Sequence, residues 1–164
     1  MNELPKRKRN RLESYDYSQN GAYFITICTK DKRKLLGTVG RDDLGTPFVT
    51  LSKQGSIAQK NIDLIELHYK CTLVDKYIIM PNHIHMIIVL SILHDGVPRS
   101  SRPTAVSISS IVAAFKKFTA KEMGINIWQT SFHDHVIRDE EDYLRIWQYT
   151  DENPAKWAED AYFV

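Results

Sequence analysis

Three groups of residues in this chain have types and spacings suited to chemistry. The first is Pro81-Asn82-His83-Ile84-His85. On a strand, residues two apart project from the same face, about 7 Å from one another. His83 and His85 therefore stand side by side, and Ile84 points the other way, into a core. Two neutral imidazoles so placed can converge on one divalent ion; the same spacing also describes two histidines on a sheet face that hold nothing. The second group lies near residue 149. Tyr149 shares one side of an expected helix with Asp142, Arg145 and Asn153, because residues about four apart lie on one helical face. A phenol on a polar face near a cation can serve as a nucleophile, but with eight tyrosines in the chain, spacing alone does not separate Tyr149 from an ordinary surface tyrosine. The third group is Phe132-His133-Asp134-His135 with Arg138. It reads as a second metal cluster, a phosphate contact or a hydrogen-bonded network at a sheet edge, and a supporting role is the reading adopted.

The elements that must position these groups follow from hydrophobic pattern and punctuation. Residues 22–29 (AYFITICT) are aromatic and β-branched and predict a strand. The glycines, proline and charges of 37–47 predict a loop or hairpin, with a short strand over 48–51. Ser52 is placed to cap a helix running to about His68, with Ile57, Ile62, Ile65 and Leu67 as its apolar positions. Strands at 72–80 and 83–90 are separated only by the turn signal Pro81-Asn82, so they must pair antiparallel. A basic linker is expected over 94–103. Ser107 opens a helix with Ile108, Ile111, Val112, Phe115 and Phe118 on one side, and Gly124 ends it. A strand is expected over 131–137. Asp139 then caps a helix over 140–152, with apolar stripe Tyr143, Ile146, Trp147 and Thr150 and acidic residues in its first turn. Pro154 stops it. This order predicts an α+β fold, helices packed on an antiparallel sheet.

Bulk properties narrow the partners. With 164 residues, 43% of them hydrophobic, the chain suits one domain spanning 1–164, with 1–14 as a basic, flexible arm. No apolar run approaches membrane-spanning length, and the basic N-terminus lacks the apolar stretch of a secretory signal. Cys28 and Cys71 sit in apolar runs, which suggests buried thiols in a reducing cytoplasm rather than a disulfide. The net charge is only +2, but it is unevenly spread. Lys6, Arg7, Lys8, Arg9 and Arg11 crowd the N-terminus. Arg99, Arg102, Lys116, Lys117 and Lys121 fall in a stretch without acidic residues, and acidic residues dominate from Glu122 onward. A polyanion can bind the basic segments, although solvated surface has the same composition.

Taken together, the segments YDYSQNGAYFITICT (15–29), YIIMPNHIHMIIVL (77–90), SISSIVAAFKKFTAKE (107–122) and IWQTSFHDHVIRDEEDYLRIWQYTDENPAKW (127–157) resemble the single-tyrosine (Y1) HUH transposases of the IS200/IS605 type. Within that group the similarity is greatest to the REP-associated tyrosine transposases. The resemblance implies a small α/β sandwich with a central antiparallel sheet flanked by helices, a ferredoxin- or RRM-like fold. It implies that His83 and His85 bind Mg²⁺ or Mn²⁺ and that Tyr149 is the nucleophile. Asn153 falls where the insertion-sequence members carry a glutamine that completes the metal site, with a shorter reach. The implied activity is cutting and joining of single-stranded hairpin DNA through a covalent 5′-phosphotyrosine, in the cytoplasm. The alternative is a catalytically silent descendant that binds hairpins without cutting. Lys116, Lys117, Lys121, Arg138 and the arm residues Arg7, Arg9 and Arg11 are the expected DNA contacts. Members of the group act as homodimers or as monomers.

Overall fold

A computed structural model of the chain describes residues 15–91 and 106–159. Strand β1 (Gly21–Cys28) turns Tyr23, Ile25 and Ile27 to one side, all fully buried. A hairpin follows, β2 (Gly37–Arg41) with β3 (Pro47–Leu51), which resolves the loop-or-hairpin choice as a hairpin. Ser52 then caps α1 (Lys53–Asp63), its side chain accepting a hydrogen bond from the Gly55 N–H. Glycine is required at 55 because a Cβ there would lie 2.0 Å from the Leu36 carbonyl oxygen. The expected single helix to His68 is interrupted at Leu64, and α2 (Ile65–His68) is one further turn. Leu67, expected to face inward, is therefore exposed.

Strands β4 (Thr72–Met80) and β5 (His83–Leu90) occupy the expected residues and pair antiparallel across the two-residue turn. Helix α3 (Ile108–Met123) begins with a Ser107–Ser110 capping box and ends at Gly124, whose φ of 73° suits glycine. Strand β6 is shorter than expected, His133–Ile137, and α4 (Glu140–Glu152) starts at the Asp139 cap. The linker expected over 94–103 and the basic arm over 1–14 lie outside the described residues.

The main sheet has order β4-β5-β1-β6, every neighbour antiparallel. Leaving aside the small hairpin, the chain runs β-α-β-β-α-β, the ferredoxin-like arrangement. The fold is α+β, as expected. Ile25, Ile27, Ile84, Met86 and Ile88 form the sheet's contribution to a core with Ala58, Ile62, Ile111, Val112 and Phe115 of α1 and α3. Each such side chain contributes about 1.5–3 kcal/mol through removal from water. One member of the expected α3 stripe departs from it: Phe118 is half exposed and stacks on His68 instead of entering the core. Cys28 and Cys71 are both buried thiols.

Alternation carries Phe24, Thr26, His83 and His85 to the opposite face of the sheet, and α4 lies across that face. Ile146 and Thr150 are buried beneath it. A bulge at Asp75 in β4, between Val74 and Lys76, adds one residue against β5 and re-aims the edge. The Tyr143 hydroxyl donates to Asp75, and that bond, with burial, pushes the phenol up to about 12. Lys76 forms an ion pair with Asp151 at 2.6 Å and lies 3.7 Å from the centre of the Trp147 ring. Trp147, read as part of the buried stripe, is thus a partly exposed platform for that cation.

Candidate active site

His83 and His85 are the first and third residues of β5, a central strand, and both are fully buried. Their ring centroids are 4.4 Å apart. Each ring is held by its Nδ1. Asn82 donates from its side-chain nitrogen to the Lys32 carbonyl at 3.1 Å, which turns its Oδ1 toward His83 Nδ1 at 2.9 Å. The acceptor there requires Nδ1 of His83 to carry the proton, so the Nε2 of the neutral ring bears the lone pair. His85 Nδ1 shares a hydrogen bond with Thr26 Oγ1 at 2.8 Å. Burial, and to a lesser extent the neighbouring His83, holds His85 well below the ordinary histidine range, so it is neutral at physiological pH. Two buried imidazoles, each oriented by a fixed partner, have the donor chemistry of a divalent-cation site.

Tyr149 comes to the same place from α4. Its hydroxyl is 3.5 Å from His85 Nε2, and its ring packs edge-on to Phe24 at 6.1 Å between centroids. The tyrosine and the histidine pair belong to one chain. Asn153 follows one turn later and is buried. One turn beyond that, Trp157 packs against His83, with centroids 5.9 Å apart. The residues at 149, 153 and 157 therefore follow the histidine pair from His85 toward His83. Among the described residues, no group of three or more His, Cys, Asp or Glu side chains is placed to hold a metal.

A pocket of about 480 Å³ opens at Tyr149, lined by Phe24, Thr26, His85, His135, Arg145 and Ile146 as well as the tyrosine. His135 and Arg145 are tied together by Asp142. Its carboxylate accepts from His135 Nε2 at 2.7 Å and from the Arg145 guanidinium, and the His135 bond is the main cause of its lowered pKa. Of the 132–135 cluster, His135 joins a hydrogen-bonded network with Asp142 and Arg145 at the edge strand.

The expected DNA contacts separate. Lys117, Lys121 and Arg138 are exposed. Lys116 is turned inward, its ammonium donating to the carbonyls of Gln129 and Ser131, both at 2.8 Å, which ties α3 to the segment before β6. Arg7, Arg9 and Arg11 lie outside the described residues. Sequence reasoning gave no role to Asn82, Thr26, Phe24 or Arg145. Only Arg145 carried a usable signal, its position one turn before Tyr149.

No family model matches the chain. A Haemophilus influenzae protein of no assigned function is 32% identical over 173 aligned residues, covering 96% of this chain and 93% of its own. A second H. influenzae protein, named for the REP-associated tyrosine transposases, is 27% identical and covers 86% of this chain and 74% of its own. In fold, the chain is similar to a REP-associated tyrosine transposase solved in complex with a REP hairpin, with TM-score 0.64 over 90% of this chain and 74% of that one, at 22% identity. The chain is thus similar in sequence and in fold to the REP-associated tyrosine transposases. The described residues contain no helix long and apolar enough to cross a membrane.

Proposed function

We propose that this Y1 transposase-like protein cuts and rejoins single-stranded DNA at hairpins, with Tyr149 as nucleophile and with Mg²⁺ or Mn²⁺ held by His83 and His85, Asn153 being the nearest candidate for a third ligand. The observation that carries this reading is the Tyr149 hydroxyl 3.5 Å from Nε2 of its own chain's His85, beside a second buried imidazole. A metal ion bound there would polarise the scissile phosphate and offset charge in the transition state.

The chain's own residues do the rest. Phe24 packs edge-on to the tyrosine ring and Ile146 lines the same pocket, into which the hydroxyl opens beside His85. Tyr149 oxygen attacks phosphorus after losing its proton. The bond from phosphorus to the 3′ oxygen breaks, and that oxygen leaves as a 3′-hydroxyl after taking up a proton. The 5′ phosphate remains esterified to Tyr149. Attack by another 3′-hydroxyl reverses the step, so one phosphoester is exchanged for another and no external energy is consumed. Arg145, held by Asp142, lies at the rim where it can pair with a phosphate. Lys117, Lys121, Arg138 and the arm with Arg7, Arg9 and Arg11 supply further phosphate contacts away from the chemistry. Because the tyrosine sits over its own chain's histidines, the site needs no residue from a second copy, which supports action as a monomer. The reading places the protein in the cytoplasm with its DNA.

The test is covalent trapping. Labelled single-stranded hairpins from DNA flanking the gene are incubated with the protein and Mn²⁺ or EDTA, beside Tyr149→Phe. A protein–DNA adduct requiring both metal and Tyr149 is the expected result. Binding without an adduct, across a panel of hairpins, would identify a binding-only descendant. An adduct that persists in the phenylalanine variant would move the nucleophile to another residue.

A further inference from the structure

The segment after β1 reads Lys30-Asp31-Lys32-Arg33-Lys34, four cations to one anion, and none of these residues entered the sequence expectations. Its backbone is unusual: Asp31 and Lys32, neither of them glycine, adopt positive φ of 55° and 51°. Side chains rarely adopt that region, so the surrounding contacts must hold it. Thr29 Oγ1 donates to the Arg33 carbonyl at 2.7 Å, and Asn82 Nδ2 donates to the Lys32 carbonyl at 3.1 Å. Asn82 is also the residue that orients His83. The segment lies at the histidine end of the sheet, since His83 opens β5 opposite Cys28, the last residue of β1.

Two of these cations line a cleft of about 220 Å³. Lys30 and Arg33 enter from the segment, Gln54 from the start of α1 and Asn126 from the turn after α3, with Leu35 and Ile127 as walls. Asn126 Oδ1 is already taken by the Trp128 N–H at 3.0 Å, so its amino group is what it can offer a ligand. No carboxylate lines the cleft. Two cations and an amide donor, with no acidic residue among the lining, suit a phosphate diester and disfavour a cation or a carboxamide ligand.

We infer that this cleft is a second phosphate site for the bound DNA, fixed in position relative to the histidine pair through Asn82. This rests on the hairpin-DNA reading above. The cleft lies where β5 begins, beside the start of α1 and the turn after α3 on the far side of the sheet from the histidines, so a strand leaving the Tyr149 pocket around this end of the sheet places a backbone phosphate in it, one or more nucleotides from the bond being cut. The site carries no base-reading geometry, so its contribution is to register and affinity rather than to sequence choice.

The experiment measures hairpin binding by fluorescence anisotropy in EDTA, so that no cutting intervenes, over a range of salt concentrations. The full-length protein is compared with Lys30→Gln/Arg33→Gln and with a charge-matched control, Arg41→Gln/Lys70→Gln. Loss of one phosphate contact is expected to reduce the slope of log affinity against log salt by about 0.7, the single-strand value for one phosphate, with the control unchanged. Mn²⁺ affinity of the cleft variant, measured by calorimetry, should stay at the wild-type value. An equal slope in the cleft variant and the control would overturn the site while leaving the hairpin reading intact. Wild-type protein that binds no single-stranded or hairpin DNA would overturn both. Inorganic phosphate raising the wild-type melting temperature but not the variant's, with unchanged DNA slopes, would make it a free-phosphate site and overturn the DNA assignment.

Discussion

The chain carries the pattern His-x-His twice, at 83–85 and at 133–135, and in both cases on a strand. Register places all four imidazoles on the same face of the same sheet, because Thr26 pairs with His85 on one side and with His133 on the other. Their surroundings differ. β5 is a central strand, and α4 and Trp157 close over its pair, leaving both rings buried, 4.4 Å apart, with each Nδ1 engaged by a fixed partner. β6 is an edge strand, its histidines are exposed, and His135 is drawn away to Asp142. Identical spacing thus yields one preorganised, buried pair of imidazoles and one exposed pair at a sheet edge. What separates them is burial and the residue holding each Nδ1, since a ring free to rotate must be ordered before it can bind anything.

The comparison can be broken most sharply by removing one imidazole from each pair. His83→Ala is expected to weaken Mn²⁺ binding about 100-fold or more, read by calorimetry on the protein without DNA, whereas His133→Ala should leave it within about twofold. Equal losses from the two variants would show that the edge pair also holds the ion and that burial is not what distinguishes them. A smaller effect is expected from the residues that orient the rings. Thr26→Val keeps the shape at position 26 but removes the bond to His85 Nδ1, and Mn²⁺ affinity should fall about 10-fold, with Thr26→Ser restoring it. Failure of serine to rescue would mean that packing at Thr26, rather than its hydroxyl, sets the ring.

The smallest effect belongs to the edge network and has a defined pH window. Asp142 is held below the ordinary carboxylate range, first by His135 and then by Arg145, so its contribution to stability is present above the unfolded carboxylate value of about 3.8 and is lost as pH falls through the lower folded value. Asp142→Asn should lower the melting temperature by ~2–4 °C at most near pH 6, because the group is at the surface, and the gap to wild type should close below pH 4. A gap that persists in acid would assign the role of Asp142 to its N-terminal position on α4, where its N–H is capped by Asp139, rather than to its charge.

Much of the fold was legible because its signals are local. β4, β5 and α4 occupy the residues that period and punctuation predicted, and the Ser52, Ser107 and Asp139 caps all form. The misplacements came where distant segments decide. Phe118 and Leu67 have the period of core positions but stay largely exposed, Phe118 against His68, and Lys116 looks like a surface cation until Gln129 and Ser131 fold over it. The bulge at Asp75 has no signature in an otherwise regular strand pattern, yet it supplies the carboxylate that anchors Tyr143.

By itself the sequence determined that His83 and His85 share a face, that Ile84 enters the core, and that Tyr149 lies on the polar side of its helix. These follow from periods of two and 3.6 residues, which the backbone imposes whatever surrounds it. It could not determine that Tyr149 meets His85, that Asn82 and Thr26 hold the rings, or which His-x-His pair is buried. The first depends on α4 crossing the sheet, which joins residues 64 positions apart, and the second on the pairing of β1 with β5 and on the segment after β1. Burial, and with it the neutral state of His85, is a property of that crossing rather than of any local stretch of chain.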